Sequence, residues 1–173
     1  MIALLIVIFG ALYFFANTKI FSPSGPTPSQ TPPGIKKIQI IDTTSTQDLR
    51  VKAKLNLEIA DTGEKRTKGL GERESLASDS GMLFIFDKPD KYRFWMKGLK
   101  FPLDFIWVSG DRVVDILTNI APPALNQVDE SLPQYAPVVT IDKVLEVNAG
   151  FVVDHNIRVG DKIEFIESQE SSD

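Results

Sequence analysis

Between Arg50 and Ala60 apolar and polar positions alternate. Val51, Ala53, Leu55, Leu57 and Ile59 fall on one side, with Lys52, Lys54, Asn56 and Glu58 on the other. Successive side chains of an extended chain point to opposite faces, so this spacing predicts a strand with one buried and one wet face. Asp61-Thr62 then supplies a cap signal for a short helical turn through Glu64, Lys65 and Arg66, stopped near Gly69 or Gly71. Residues 82–86 are apolar at every position and residues 103–108 at all but Asp104, which predicts short strands covered on both faces. Between them, residues 87–90 read as a turn and residues 92–96 as a further strand. Ser109-Gly110-Asp111 reads as a hairpin turn into a strand over Arg112–Ile120. Residues 138–141 and 144–147 read as two short strands, and Asn148 as the cap of a helical stretch over residues 149–156. Gly160-Asp161 makes a turn into a last strand, Lys162–Ile166. The sum is about eight short strands and two short helices. A small, closed or partly open β-barrel is the fold that best hides so many strand edges.

The pattern changes completely at the other end of the chain. Residues 2–16 are uncharged and almost wholly apolar, and the stretch continues to Phe21 with Lys19 as its one charge. About twenty residues at 1.5 Å each cross a hydrocarbon core of about 30 Å, with Lys19 snorkelling. A cleaved signal peptide is the alternative, but no A-x-A-like site follows the run. Residues 22–34 carry five prolines and no charge, which predicts an extended spacer holding a domain off a membrane surface. The expected organisation is an anchor or signal segment over 1–21, a linker over 22–34, a β domain over 35–167 and a disordered tail over 168–173. The lysines at 19, 36 and 37 count mildly against a cytoplasmic N-terminus, whereas the stalk favours a domain on the extracytoplasmic side.

Composition removes several classes of chemistry. The 173 residues hold no cysteine, which excludes disulfides, thiol catalysis, thiolate metal sites and a lipoprotein anchor. His155 is the single histidine, so no site can use two imidazoles, and no metal or other cofactor is expected. The net charge of −4 provides no field to draw in nucleic acid.

A family resemblance rests on residues in fixed order and spacing. They are Arg66, Gly69-Leu70, Arg73, Leu76 and Gly81-Met82-Leu83-Phe84, then Phe94-Trp95-Met96-Lys97, Pro102-Leu103-Asp104, Val144-Leu145-Glu146-Val147-Asn148-Ala149-Gly150 and Val159-Gly160-Asp161. Together they resemble the uncharacterised DUF192 (UPF0127) family over roughly residues 51–166. Two positions depart from its pattern: Gly71 stands where the family has Met, and Gly98-Leu99 where it has Asn-Thr. The resemblance implies a compact β-barrel-like domain, often behind a signal or anchor, and no established activity.

Candidate chemistry is sparse. Asp104 shares a strand face with Ile106 and Val108, and a carboxylate there must be paired, protonated or at an opening. It is either a buried acid that organises backbone amides or an arginine, or a site acid. Arg66 and Arg73 flank the turn at residues 69–71, where a guanidinium fork could meet Asp104 or bind an anion. Trp95 alternates with Phe94 and Met96 and could share a face with Lys97, as core or as an aromatic plate beside a cation. Arg66, Arg73, Trp95, Lys97 and Asp104 are thus the ligand-binding candidates. His155 and Gly160-Asp161 read as structural. The connector over residues 121–137, with four prolines, is long enough to be a lid over a barrel mouth. The expected function is a membrane-anchored, extracytoplasmic module that binds a small ligand or envelope component. The alternative is a hydrolase-like enzyme using Asp104 with Glu146 or Asp79, which requires two carboxylates about 5–9.5 Å apart.

Overall fold

Most of the alternating or doubly apolar segments become strands, and among the described residues seven strands close on themselves. This computed structural model describes residues 35–44 and 49–166. The anchor expected over 1–21, the spacer over 22–34 and the tail over 168–173 lie outside the described residues. Among the described residues no helix is long and apolar enough to cross a membrane. The elements are β1 (Ile35–Asp42), β2 (Arg50–Ala60), α1 (Gly63–Lys68), β3 (Ser80–Asp90), β4 (Leu103–Ser109), β5 (Arg112–Ile120), β6 (Ile141–Asn148), α2 (Phe151–Asp154) and β7 (Lys162–Ile166). They form a closed barrel in the order β1-β2-β3-β6-β4-β5-β7. Neighbours are antiparallel except β2 and β3, which pair in parallel from Asn56↔Ser80 to Ala60↔Phe84. A parallel pair needs a crossover, and residues 61–79, carrying α1, provide it.

Closure explains why apolar residues occur on both faces of β3, β4 and β6. One face of every strand points into the barrel, where Ile38, Ile40, Leu55, Leu57, Leu83, Ile106, Leu145 and Val147 pack with Phe151 and Val152 of α2. The opposite face of β3, β6 and β4 carries a second apolar layer. Met82, Phe84, Leu103, Phe105, Trp107 and Val144 are covered there by Leu70, Met96 and the partly buried Phe94 and Tyr135. Rings in this layer meet edge to face, with Phe94 at 5.1 Å from Phe84 and 5.4 Å from Trp107. Gly81 is what lets β3 lie so close to β6. A Cβ there would stand 2.8 Å from the Glu146 carbonyl oxygen and 3.0 Å from Leu57.

Two polar arrangements fasten the ends. Lys52 reaches both Asp161 carboxylate oxygens at 2.8 Å, and the backbone amide of Arg158 donates to the same group at 2.7 Å. This buried pair joins β2 to the turn before β7, so Gly160-Asp161 is structural as expected. Thr62 caps α1, its hydroxyl accepting from the Lys65 amide at 3.2 Å, and Gly69 ends it at φ +50°.

Several local expectations are corrected. β1 was not anticipated, and it is the strand that closes the barrel by pairing with both β2 and β7. Residues 87–90 continue β3 instead of turning. Residues 92–96 form no strand; Phe94 makes a single bridge with Tyr135. The two strands expected after residue 137 are one, β6. Asn148 caps nothing: its amide donates to the carbonyls of Leu76 and Ala77 at 3.0 and 3.1 Å, and Gly150 precedes α2 instead. Tyr135 packs the 121–137 connector against the outer layer, 6.1 Å from the Phe105 ring, and Asp129 pairs with Lys97 at 2.6 Å.

Candidate functional site

Strand parity decides which acids can meet. In the β4–β6 register Asp104 lies opposite Val147 and Phe105 opposite Glu146. Phe105 belongs to the outer layer and Val147 to the barrel interior, so Asp104 and Glu146 project to opposite faces of one sheet. Asp104 is wholly buried on the inner side. One oxygen accepts from the Asn119 amide at 2.8 Å and the other from the Val152 amide at 3.0 Å. The carboxylate thereby ties β5 and α2 to β4. Neither arginine bonds it. The expected convergence of Asp104 with Arg66 or Arg73 does not occur, because both arginines approach from outside the barrel wall. Asp79, the other partner considered for a two-acid site, accepts instead from the Asn56 side chain at 2.8 Å.

The outer layer holds the opening. A cleft of about 730 Å³ runs between α1 with its following turn, the end of β3 and residues 92–99. Phe84 and Phe86 of β3 line it together with Tyr92, Phe94 and Trp95. Phe86 and Tyr92 stack at 3.6 Å with planes 12° apart. Gly69 faces the Phe84 ring, where an added Cβ would sit 3.4 Å from it. Gly71 and Gly98 abut across the mouth, and the Glu72 amide donates to the Gly98 carbonyl at 2.8 Å.

Glu146 lies at the floor of this cleft. It is 5% exposed, shares its strand face with Val144, and faces Met82 and Phe105 across the neighbouring strands. Its side chain makes no hydrogen bond or ion pair to any described residue. Desolvation alone pushes its carboxyl up to about 8, so it is protonated at neutral pH. A neutral carboxylic acid offers one donor and an acceptor in apolar surroundings. A buried polar group without a partner is costly.

Three of the five sequence candidates line the cleft. Arg66 is fixed by Nη1, which donates to the carbonyls of Asp61 and Ile85, each at 2.8 Å, while its guanidinium lies 5.2 Å over Phe86. Its Nε and Nη2 have no acceptor among the described residues. Trp95 is 46% exposed, so it is rim and not core, and the Lys97 ammonium sits 5.4 Å from its ring centre. The hydrogen bond to Asp129 holds Lys97 above its ordinary value. Arg73 stays outside the cleft, forked onto Glu58 at 2.5 and 2.9 Å, and that bond keeps the Glu58 carboxylate below its usual range. Among the described residues no group of three or more acids and histidines is placed to hold a metal. His155 packs 4.3 Å from Phe151 with Nδ1 3.3 Å from the Lys52 carbonyl, a structural position.

Sequence reasoning singled out Asp104 and passed over Glu146 as anything but its partner. The signal was present: Glu146, like Asp104, is an acid within a strand whose neighbours are apolar on both faces. What separates them is the backbone amides available to Asp104, which only the folded chain supplies.

The DUF192 family model, described as an uncharacterised ACR, matches residues 43–165. No curated protein matches the chain. Two solved structures are similar to it. One, from Sinorhizobium meliloti 1021, is named only as a candidate transcription regulator; it is 26% identical with a TM-score of 0.65, over 76% of this chain and 93% of its own. The other is a protein of unknown function from Novosphingobium aromaticivorans DSM 12444, 29% identical with a TM-score of 0.64, over 81% and 94%.

Proposed function

The chain belongs to the uncharacterised DUF192 family, and we propose that it is a binding module for a small organic ligand, held at a membrane with its barrel on the extracytoplasmic side. The observation that carries the ligand reading is Glu146, a buried acid without a partner at the floor of an open aromatic cleft. Ligand pockets are mostly apolar with a few placed polar groups, and this cleft has that composition. A two-carboxylate hydrolase is not favoured, since Asp104 and Glu146 leave the sheet on opposite faces and Asp104 already holds two amides. The apolar run over residues 2–16 and the proline-rich stretch after it support the membrane placement.

A thermal-shift screen of small aromatic compounds tests the ligand reading, since a compound that binds only the folded state raises the melting temperature by mass action. Compounds that stabilise the protein are expected to alter Trp95 emission, with Trp95→Phe as the control for Trp107, and to lose their effect in Glu146→Leu. Stabilising compounds indifferent to both substitutions would place the binding site elsewhere. For placement, alkaline phosphatase fused after Asp173 should be active in bacterial cells; an inactive fusion of normal abundance reverses the orientation.

A further inference from the structure

The cleft is apolar and uncharged at its floor and cationic at its rim. At the floor, the residues facing Glu146 from β3 are Met82 and Phe84, from β4 Phe105 and from β6 Val144, none of them titratable. Asn148, next along that face, spends its amide on the carbonyls of Leu76 and Ala77. At the rim, charge returns. α1 contributes Arg66 and Lys68, the turn after it Glu72, and residues 92–99 contribute Tyr92, Arg93 and Lys97. Four cations therefore surround the mouth against one acid of the cleft, with Asp129 answering Lys97 from outside. Lys68 has no ion-pair partner among the described residues, and Arg93 makes only a 3.2 Å contact with Gln134. A cationic ligand would cross a repelling rim to reach an acid that is neutral at pH 7. An anion at the mouth and an uncharged acceptor at the floor would satisfy both ends.

Resting on the small-ligand reading of this cleft, we propose that its ligand is an aromatic or otherwise flat apolar acid. Its ring lies along the aromatic lining of the cleft, which includes Phe86 and the exposed Trp95, and an uncharged hydrogen-bond acceptor at its inner end receives the Glu146 O–H. Its anionic group stays at the rim among Arg66, Lys68, Arg93 and Lys97. Binding then requires the protonated acid. Burial keeps Glu146 protonated to about pH 8, so such a ligand holds at neutral pH and is released as pH rises beyond that.

Two probes with one ring and opposite fixed charge test this on the full chain: 6-acetyl-2-naphthoate and trimethyl-(6-acetyl-2-naphthyl)ammonium. Each keeps its charge from pH 6 to 9, so any pH dependence belongs to the protein. The naphthoate should bind at least about tenfold tighter at pH 7. Its affinity should fall towards tenfold per pH unit above about 8, because only the protonated fraction is competent. Glu146→Leu should weaken it about tenfold and flatten the pH profile. Reversal of two exposed rim charges, Lys68→Glu with Arg93→Glu, should weaken the naphthoate about fivefold and favour the ammonium. An ammonium that binds more tightly, or that tightens as pH rises, overturns the acid ligand and leaves the cleft as a binding site. Naphthoate binding indifferent to Glu146→Leu and to pH overturns the role given to the floor. If neither probe binds saturably, both this proposal and the small-ligand reading fail.

Discussion

Two buried acids, Asp104 and Glu146, differ in what their immediate surroundings supply. Asp104 accepts two backbone amides that β5 and α2 bring to it. Asp104→Asn replaces one acceptor with a donor facing an amide, so it should cost about 1–3 kcal/mol in urea unfolding. Binding of an aromatic probe to the outer cleft should be unchanged by it. Glu146 receives nothing, and its proton is retained to about pH 8 in the folded chain against an ordinary 4.5. Between those values the folded state holds one proton more than the unfolded state. Stability from this group therefore falls as pH rises, by about 1.4 kcal/mol per unit, and levels off above pH 8. Glu146→Gln should abolish that slope and be the more stable protein by roughly 3 kcal/mol near pH 7. Denaturation midpoints of both proteins from pH 5 to 9 give the comparison directly. Parallel curves would mean that Glu146 finds a partner in solution.

At the scale of the element, β4 shows how one strand can serve two cores. Its residues 103–108 are all buried. Ile106 and Val108 fill the barrel, while Leu103, Phe105 and Trp107 support the outer layer beneath the cleft. The same division holds in β3, where Leu83 points in and Met82 and Phe84 point out. Phe84→Ala and Phe105→Ala each remove a ring from the outer layer, and each should cost roughly 3–5 kcal/mol. Differential scanning calorimetry with chemical denaturation reads both. A loss under about 1 kcal/mol at both sites would show that the outer layer is surface and the cleft incidental. The connector over residues 121–137 and the segment over 92–99 contribute to this layer through Tyr135 and Phe94, without regular pairing beyond one bridge.

For the whole molecule, closure depends on β1. It pairs with β2 from Ile35 to Asp42 and with β7 from Lys37 to Ile41, whereas β5 and β7 share only Arg112↔Lys162. Truncation therefore separates two cases at a sharp boundary. Removing residues 1–34 should leave the melting temperature of the barrel unchanged, since pairing begins at Ile35. Extending the deletion through Asp42 exposes the edges of β2 and β7 and uncovers Ile38 and Ile40, both 0% exposed. That protein should fail to fold cooperatively, as seen by near-ultraviolet circular dichroism and gel filtration. A large loss of stability from the shorter deletion would instead make the first 34 residues part of the folded unit.

Local pattern was sufficient for most strands. β2 follows from alternation, β4 from a doubly apolar run, β5 and β7 from the turns that precede them, α1 from its Thr62 cap, and barrel closure from the number of short strands. The core positions Met82, Phe84, Leu103, Phe105 and Leu145 were legible for the same reason: side-chain direction in a strand is a local property with period two. β1 was missed because Lys36 and Lys37 interrupt its apolar positions, and part of its burial comes from β7, remote in sequence. Arg66, Trp95 and Lys97, ligand-binding candidates from the sequence, line the cleft, whereas Asp104 lies on the other face of the sheet and Glu146 beneath them. Which of Asp104 and Glu146 is satisfied depends on where the amides of Asn119 and Val152 arrive. Those donors lie 15 and 48 residues along the chain from Asp104, and chain closure alone brings them there.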